Sequence, residues 1–279
     1  MHRLPTGVCI FILFLAACQS QPDATQTTGE TNSLVDSGPS SRLLIAAASD
    51  LRFALPELND AFNKLHPTVK LETIFGASGS LVAQLENGLP ADVFLCADER
   101  YPQKLIQAGL AAPQDYFRYA RGQLALCMPA NSALATQSDG ISLLTQSSIG
   151  RLAIANPRMA PYGQAAMALL ENLNLAEEYR NRLLLADNVM QAFQFAESGN
   201  ADAAIVSKSL ALAAEKATRW FEIPEEFYPP IIQGGVILKK TSARQAAQQW
   251  RDFLLSPAGQ AVLSRYGYTS PDSTSSSSP

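Results

Sequence analysis

The sequence predicts an α/β protein of two lobes, each a mostly parallel sheet flanked by helices, with a ligand cleft between the lobes. Short apolar runs of strand length alternate with helix-spaced apolar segments. This alternation occurs twice, before and after a turn-rich stretch near the middle of the chain. Successive strand–helix units favour parallel sheets covered by helices on both faces. The 279 residues are enough for two such lobes.

The first series of units contains three continuous or alternating apolar runs, each followed by a helical pattern. The strands are predicted at 43–48, 69–75 and 92–97, and the helices at 51–65, 81–88 and 99–108. Ser78 or Ser80 is a candidate N-cap for the second helix, and Gly88 and Gly109 follow the second and third helices as expected for helix ends.

The second series follows the same pattern. Its strands are predicted at 123–128, 151–155 and 202–207, and its helices at 162–173, 176–184 and 189–198. An extended segment at 228–238 and an amphipathic helix at 242–265 then return to the first lobe. Lobe I is therefore predicted at 42–120 plus 225–268, and lobe II at 121–224. Two crossovers, near 117–122 and 221–228, leave a cleft that closes by hinge motion.

The two ends of the chain predict its compartment. Residues 1–17 carry Arg3 and the apolar run VCIFILFLAA, which is too short to span a membrane and is typical of an export signal. The sequence LAAC at 15–18 resembles a bacterial lipoprotein signal, with Cys18 as the acylated mature N-terminus. An ordinary cleaved signal peptide is the alternative. Residues 18–41 form a polar linker, and 269–279 form a predicted disordered tail.

Composition excludes some partners. The net charge is −4, and no basic stripe or interleaved aromatic pattern occurs, which argues against nucleic acid. Cys96 and Cys127 lie in apolar runs, where a buried cysteine behaves as a small hydrophobe, although a disulfide is conceivable after export. No CxxC or His-rich spacing indicates a metal site.

Four segments place hydroxyl, amide or turn residues where strands end or helices begin. They are Ser49, Ser78, the APYG turn at 160–163 and the DNV segment at 187–189. Ligands of open α/β sheets bind at such places, beside helix N-termini whose N–H groups favour negative charge. Each residue alone could be a simple N-cap. Four segments from two lobes indicate one shared ligand.

The run FGASGSLVAQL at 75–85 permits three interpretations: a nucleophile turn, a nucleotide-phosphate loop, or a pocket for a free anion. A nucleophile elbow needs G-x-S-x-G, which GASGS does not provide, and His66 is far from any motif. A P-loop needs a lysine after the glycine run, and none follows. The free anion remains.

The chemistry of the predicted donors limits which anions the site can bind. Phosphate carries a proton near neutral pH and calls for a carboxylate acceptor, whereas sulfate, molybdate and tungstate are dianions that need donors only. The predicted donors are neutral hydroxyl and N–H groups, each contributing about 1.5–3 kcal/mol to a charged ligand. Asp50, Asp187 and Lys208 flank these positions, and the sequence does not give their orientation.

Several segments together resemble the periplasmic molybdate-binding proteins of ABC importers. They are AAASDLRFALPELNDAF, GASGSLVAQLENGLPADVFLCAD, ANPRMAPYGQAA and DNVMQAFQFAESGNADAAIVSKS, in this order and spacing. The resemblance covers about residues 42–268. It implies the type II periplasmic-binding-protein fold, a tetrahedral oxyanion in the cleft, no cofactor and no enzyme activity.

The resemblance also implies site residues. Ser49 and Ser78 would provide hydroxyl and backbone donors, and Tyr162 and Val189 backbone N–H groups. Ser207 is the fifth implied contact, and it stands where some relatives carry a tyrosine. Molybdenum would be held only as the oxyanion, through Ser49, Ser78, Tyr162 and Val189.

The functional expectations follow from that family. We expect a monomeric binding protein, tethered in the periplasm through Cys18, that delivers molybdate or tungstate to an ABC permease. The sequence does not separate these two anions, since they are nearly the same size. Another oxyanion such as sulfate, or a lipid-anchored hydrolase, stays as the alternative.

Overall fold

The computed structural model describes residues 41–136, 139–146, 148–214 and 218–272. The predicted export signal, Cys18 and the linker up to residue 40 lie outside these ranges, as do residues 273–279. Within the described ranges, every helix is too short or too polar to span a bilayer.

The described chain contains ten strands and ten α-helices. The strands are β1 (Ser41–Ala48), β2 (Val69–Gly76), β3 (Val93–Cys96), β4 (Ala111–Gly122), β5 (Leu124–Pro129), β6 (Leu152–Ala155), β7 (Leu183–Ala186), β8 (Ala203–Ser207), β9 (Thr218–Glu222) and β10 (Ile231–Leu238). The helices are α1 (Ala54–Leu65), α2 (Ser78–Glu86), α3 (Arg100–Gln107), α4 (Gly140–Thr145), α5 (Pro161–Asn172), α6 (Ala176–Tyr179), α7 (Val189–Glu197), α8 (Lys208–Ala213), α9 (Arg244–Leu255) and α10 (Pro257–Arg265). Short 3-10 turns occupy Ser49–Leu51, Ala133–Thr136 and Glu225–Phe227.

The strands form two sheets of five with the same topology. The first sheet has the order β2-β1-β3-β10-β4, and the second has the order β7-β6-β8-β5-β9. In each sheet the first three strands are parallel, and the fourth pairs antiparallel to both its neighbours. We call the first sheet with its helices the first lobe, and the second sheet with its helices the second lobe. The two-lobed α/β prediction is confirmed, with mixed sheets.

The central strands are buried on both faces, which explains their continuous apolar sequence. Along β1, Leu43 and Ile45 belong to the core beneath α1 and α9, whereas Leu44 and Ala46 belong to the core beneath α2 and α3. Successive side chains of a strand point to opposite faces, so a strand covered by helices on both sides needs apolar residues at every position.

Three strands lie outside the predicted ones, and all three are at sheet edges. β4 occupies the stretch predicted as turn-rich, β9 has no predicted counterpart, and β7 overlaps the end of the helix predicted at 176–184. That helix ends at Tyr179, and Leu183–Ala186 is a strand beside β6. A short apolar run is compatible with either helix or strand, so periodicity does not separate them.

The helix predicted at 242–265 is two helices. Ser256 has an extended ψ of 162° and ends α9, and its hydroxyl accepts a hydrogen bond from the Gly259 N–H at 3.3 Å at the start of α10. Pro257 occupies the first position of α10, where its missing N–H costs nothing. The residue before a proline avoids the helical conformation, which explains the break.

The chain passes between the lobes at two places. Gln123 separates β4 of the first lobe from β5 of the second, and the 3-10 turn at Glu225–Phe227 lies between β9 and β10. Thr269, in the predicted tail, exchanges two backbone hydrogen bonds of 2.8 and 3.0 Å with Arg121 of β4. The described chain is therefore held at its C-terminal end beside the first crossing.

Candidate functional site

A small cavity lies between the two lobes, at the ends of strands and the beginnings of helices. Its lining includes Ser49 and Ser78 from the first lobe and Tyr162 and Val189 from the second. Each of these four residues is at most 4 % exposed. The structure therefore brings four of the five predicted ligand-binding residues together, in a closed arrangement in which each is almost fully buried.

The parallel pairing of β1 and β2 brings the two serines to one edge of the sheet. Ala48 lies opposite Gly76 in the register, so Ser49 and the start of α2 follow at the same end. Ser78 is the first residue of α2. The N-cap residue of this helix is Ala77, whose side chain cannot accept a hydrogen bond from the N–H groups of the first turn. The Ser78 hydroxyl accepts a hydrogen bond from the Ala97 N–H at 3.2 Å. Its own proton stays available for a ligand in the cavity.

Helices α5 and α7 direct their first turns to the same cavity from the second lobe. Tyr162 is the second residue of α5 and Val189 is the first residue of α7. The Asn188 side chain accepts hydrogen bonds from the N–H groups of Met190 and Gln191, at 3.0 and 3.1 Å. N–H groups in the first turn of a helix have no partner within the helix, so those of Tyr162 and Val189 suit an anion.

Ser207 does not line this cavity. It is fully buried at the end of β8, where its hydroxyl lies 3.0 Å from that of Ser209 and accepts from the Leu210 N–H at 3.4 Å. It caps α8 in this structure.

Asp50 is the one charged side chain among the described residues that line the cavity, and Arg, Lys and His are absent from that lining. Its Oδ2 accepts hydrogen bonds from the Tyr268 hydroxyl at 2.7 Å and from Gln233 Nε2 at 3.1 Å. Its Oδ1 is buried and has no hydrogen-bond partner within the described chain. The Asp50 carbonyl oxygen accepts from the Ser209 hydroxyl of the second lobe at 2.8 Å.

Asp50 thus belongs to a buried polar network that crosses from one lobe to the other behind the cavity. Gln233 Nε2 also lies 3.2 Å from the Tyr162 hydroxyl, and Gln233 Oε1 accepts from the Tyr119 hydroxyl at 2.9 Å. The sequence pattern indicates Asp50 beside the site but not Gln233, Tyr119 or Tyr268, because these come from β10, β4 and the C-terminal end. The pattern of apolar residues along β10 and β4 is the one sequence signal that could have placed Gln233 and Tyr119 in a buried sheet.

Burial dominates the electrostatics of this network. Desolvation raises the pKa of Asp50 to about 6, although hydrogen bonds from Tyr268 and Gln233 oppose the shift. Burial, together with the charge of Asp50, raises the pKa values of Tyr119, Tyr162 and Tyr268 well above their usual range. These tyrosines are therefore neutral hydrogen-bonding groups at physiological pH.

The other two charged residues flanking the predicted site do not reach the cavity. Lys208 Nζ pairs with Glu222 at 2.7 Å and donates to Gln123 at 2.9 Å. Asp187 is exposed, and its backbone N–H donates to the Gln191 side chain at 2.6 Å. Neither side chain is among the residues that line the cavity.

The histidine and cysteine side chains of the described residues do not line the cavity. His66 stacks on Phe62 at the end of α1, with 4.4 Å between the ring centroids, and does not line the cavity. Cys96 and Cys127 are buried free thiols. Among the described residues, no three His, Cys, Asp or Glu side chains lie together as a metal site would require.

Comparison with known proteins places this architecture among binding proteins. Residues 43–269 match the family model described as bacterial extracellular solute-binding protein. The molybdate-binding protein ModA of Rhodobacter capsulatus is 34% identical, covering 70% of this chain and 75% of that protein. The protein of the same name from Azotobacter vinelandii is 34% identical, covering 80% and 88%.

Two further similarities extend over most of the chain. A Bacillus subtilis protein named as the putative ABC transporter substrate-binding lipoprotein YvgL is 28% identical, covering 92% of this chain and 94% of that one. The structure of the Azotobacter vinelandii periplasmic molybdate-binding protein superposes with a TM-score of 0.76 at 31% identity, covering 81% of this chain and 98% of that one. With a family model matching most of its length and the two-lobed fold in place, the chain belongs to the bacterial extracellular solute-binding protein family.

Proposed function

We propose that this protein captures molybdate, and tungstate with it, in the cavity between its lobes and delivers the anion to the permease of an ABC importer. The observation that carries the proposal is the lining of that cavity. Hydroxyl and helix N-terminal groups from both lobes meet there, and Asp50, the one charged residue of the described lining, accepts hydrogen bonds from Tyr268 and Gln233 behind the cavity. The relatives named as molybdate-binding proteins support this choice of anion.

The proposed donors act on the oxygens of the anion. Ser49 and Ser78 donate through hydroxyl and backbone groups of the first lobe, and Tyr162 and Val189 donate backbone N–H groups of the second. The positive ends of α2, α5 and α7 converge on the same point and favour a negative charge there. Several charge-assisted hydrogen bonds of about 1.5–3 kcal/mol each compensate a dianion without a paired arginine.

Donors on both lobes also explain how binding closes the protein. An anion held by one lobe alone makes only half of its hydrogen bonds, so its affinity is higher for the closed form. A ligand shifts a conformational equilibrium by its difference in affinity for the two states. The permease then recognises the closed, loaded protein.

The membrane attachment is a separate part of the proposal. Export, acylation of Cys18 and a polar linker of residues 18–41 would hold a monomeric binding protein at the membrane surface in the periplasm. The Bacillus subtilis relative is named as a lipoprotein, which supports this reading. Labelling of the expressed protein with a radioactive fatty acid, lost in Cys18→Ser, tests it.

Calorimetric titration of the purified protein with molybdate, tungstate, sulfate and phosphate tests the anion. We expect one tight site per chain for molybdate and tungstate, and far weaker sulfate binding, since a smaller anion does not reach donors of both lobes. Equal affinity for sulfate would reject selection by size. Heat that continues to evolve after saturation would favour the alternative of an enzyme.

A further inference from the structure

Arg52 lies at the mouth of the cleft, outside the closed cavity. It follows the 3-10 turn that contains Ser49, and its side chain is exposed. The guanidinium carbon sits 5.0 Å from the centroid of the Phe75 ring. Arg52 and Phe75 line an open groove of about 310 Å³, faced across the cleft by Asn188 and Gln191.

This groove adjoins the proposed anion cavity. Ser49 is a lining residue of both the groove and the cavity. The groove is open to solvent, and its volume is several times the roughly 30 Å³ that one water molecule occupies in the liquid. An oxyanion can therefore enter it with much of its hydration shell, whereas the cavity requires a bare anion.

The charge of Arg52 is not neutralised by a carboxylate within the described chain. Some other exposed arginines have such partners: Arg100 pairs with Asp98 and Arg180 with Glu177. The Phe75 ring attracts the face of the guanidinium without cancelling its charge. The planar N–H edge of an arginine stacked in this way remains able to bind an oxyanion.

The positive charge of Arg52 opposes the electrostatic repulsion that the rest of the protein exerts on an anion. The chain has a net charge of −4, and Asp50 lines the cavity itself. Both repel an approaching dianion. A local positive charge at the mouth of a cleft raises the concentration of the ligand there and so its association rate.

We propose that Arg52, held over Phe75, forms an outer subsite where a hydrated tetrahedral oxyanion docks before it enters the cavity. The inference rests on the proposed function. The subsite acts on the encounter with the anion and leaves the contacts of the bound state to the cavity. Its charge attracts the anion equally in the transition state for entry and in the cavity, so its removal lowers the association rate constant and leaves the dissociation rate constant unchanged.

Stopped-flow measurement of molybdate binding, followed by intrinsic fluorescence, tests the subsite in the full mature chain. At low ionic strength we expect Arg52→Gln to lower the association rate constant about three- to tenfold. The difference should vanish near 1 M salt, where the screening length falls to about 3 Å. Arg52→Lys, which keeps the charge, should retain most of the rate.

Arg180→Gln is the matched control, because it removes the same charge from an exposed arginine that is paired with Glu177. We expect its association rate to equal that of the unchanged protein. The subsite would be overturned if Arg52→Gln had the association rate constant of the unchanged protein, or if only its dissociation rate constant changed. Either result would leave the proposed function intact. Absence of any binding by the unchanged protein would overturn both.

Discussion

The backbone N–H of Gly79 donates a hydrogen bond to the carbonyl oxygen of Met159 across 2.8 Å, and this bond joins the first lobe to the second. A Cβ atom on Gly79 would lie 2.9 Å from the same oxygen and 3.0 Å from the Tyr101 hydroxyl. Real Cβ atoms avoid backbone atoms at this distance. The absence of a side chain at Gly79 therefore permits the closed arrangement of the lobes.

We expect Gly79→Ala to weaken molybdate binding at least tenfold, because the added methyl group opposes closure and leaves the open form unaffected. The thermal stability of the ligand-free protein should hold or rise, since alanine in a helix is favoured over glycine by about 1 kcal/mol. Calorimetric titration and thermal unfolding measure the two effects. An unchanged dissociation constant would show that the lobes close without this contact.

Removal of the Ser78 hydroxyl tests the donors of the first lobe. Ser78→Ala should weaken molybdate binding by an order of magnitude or more, since it removes one charge-assisted hydrogen bond from the anion. Ser80→Ala is the matched control, because Ser80 belongs to the same helix but does not line the cavity. Equal dissociation constants for the two variants would remove Ser78 from the site.

Tyr162→Phe distinguishes the contribution of the Tyr162 backbone N–H to binding from that of its hydroxyl. The variant keeps the N–H group proposed as a donor and loses only the hydroxyl, which lies 3.2 Å from Gln233 Nε2. We expect the dissociation constant for molybdate to change less than threefold. The free energy of unfolding should fall by about 1 kcal/mol, the usual net contribution of one hydrogen bond. A large loss of affinity in titration would instead assign the anion contact to the hydroxyl.

The sequence predicted the central strands and the edge strand β2 well and the other three edge strands poorly, for a physical reason. β1, β3, β6 and β8 are covered on both faces and so are continuously apolar. β4 forms the edge of its sheet and carries Asp115 and Arg118, which form ion pairs with Arg244 and Glu99. Charged residues are common on edge strands, where one side has no neighbouring strand. A pattern that searches for apolar runs does not find them.

The site also contains a part that the sequence predicts and a part that it does not. The segments containing Ser49, Ser78, Tyr162 and Val189 were predictable because each follows a strand or begins a helix, and α/β sheets bring such positions together. The network behind them was not predictable. Gln233 is a glutamine between an isoleucine and a glycine, and nothing local indicates that it is fully buried and bonded to Asp50. Its partners are set by the pairing of β10 with β3 and β4, which is a property of the whole fold.

The burial of Asp50 predicts an unusual dependence of stability on pH. Desolvation raises its pKa from 3.8 to about 6 in the folded protein. Below the unfolded value the group is protonated in both states and costs the fold nothing. As the pH rises from the unfolded value to the folded one, the unfolded state releases its proton while the folded state keeps it, and the fold loses on the order of 3 kcal/mol.

Asp50→Asn removes this titration and keeps an oxygen that can accept from Tyr268 and Gln233. The free energy of unfolding, measured with urea for both proteins, should therefore differ in a pH-dependent way. Between about pH 4 and about pH 7 the stability of the unchanged protein should decline relative to that of Asp50→Asn, and the difference should level off above that range. Other carboxylates titrate equally in both proteins and cancel in the comparison. A relative stability that rises with pH would mean that the hydrogen bonds to Asp50 outweigh its desolvation, and that the carboxylate is held in its ionised form.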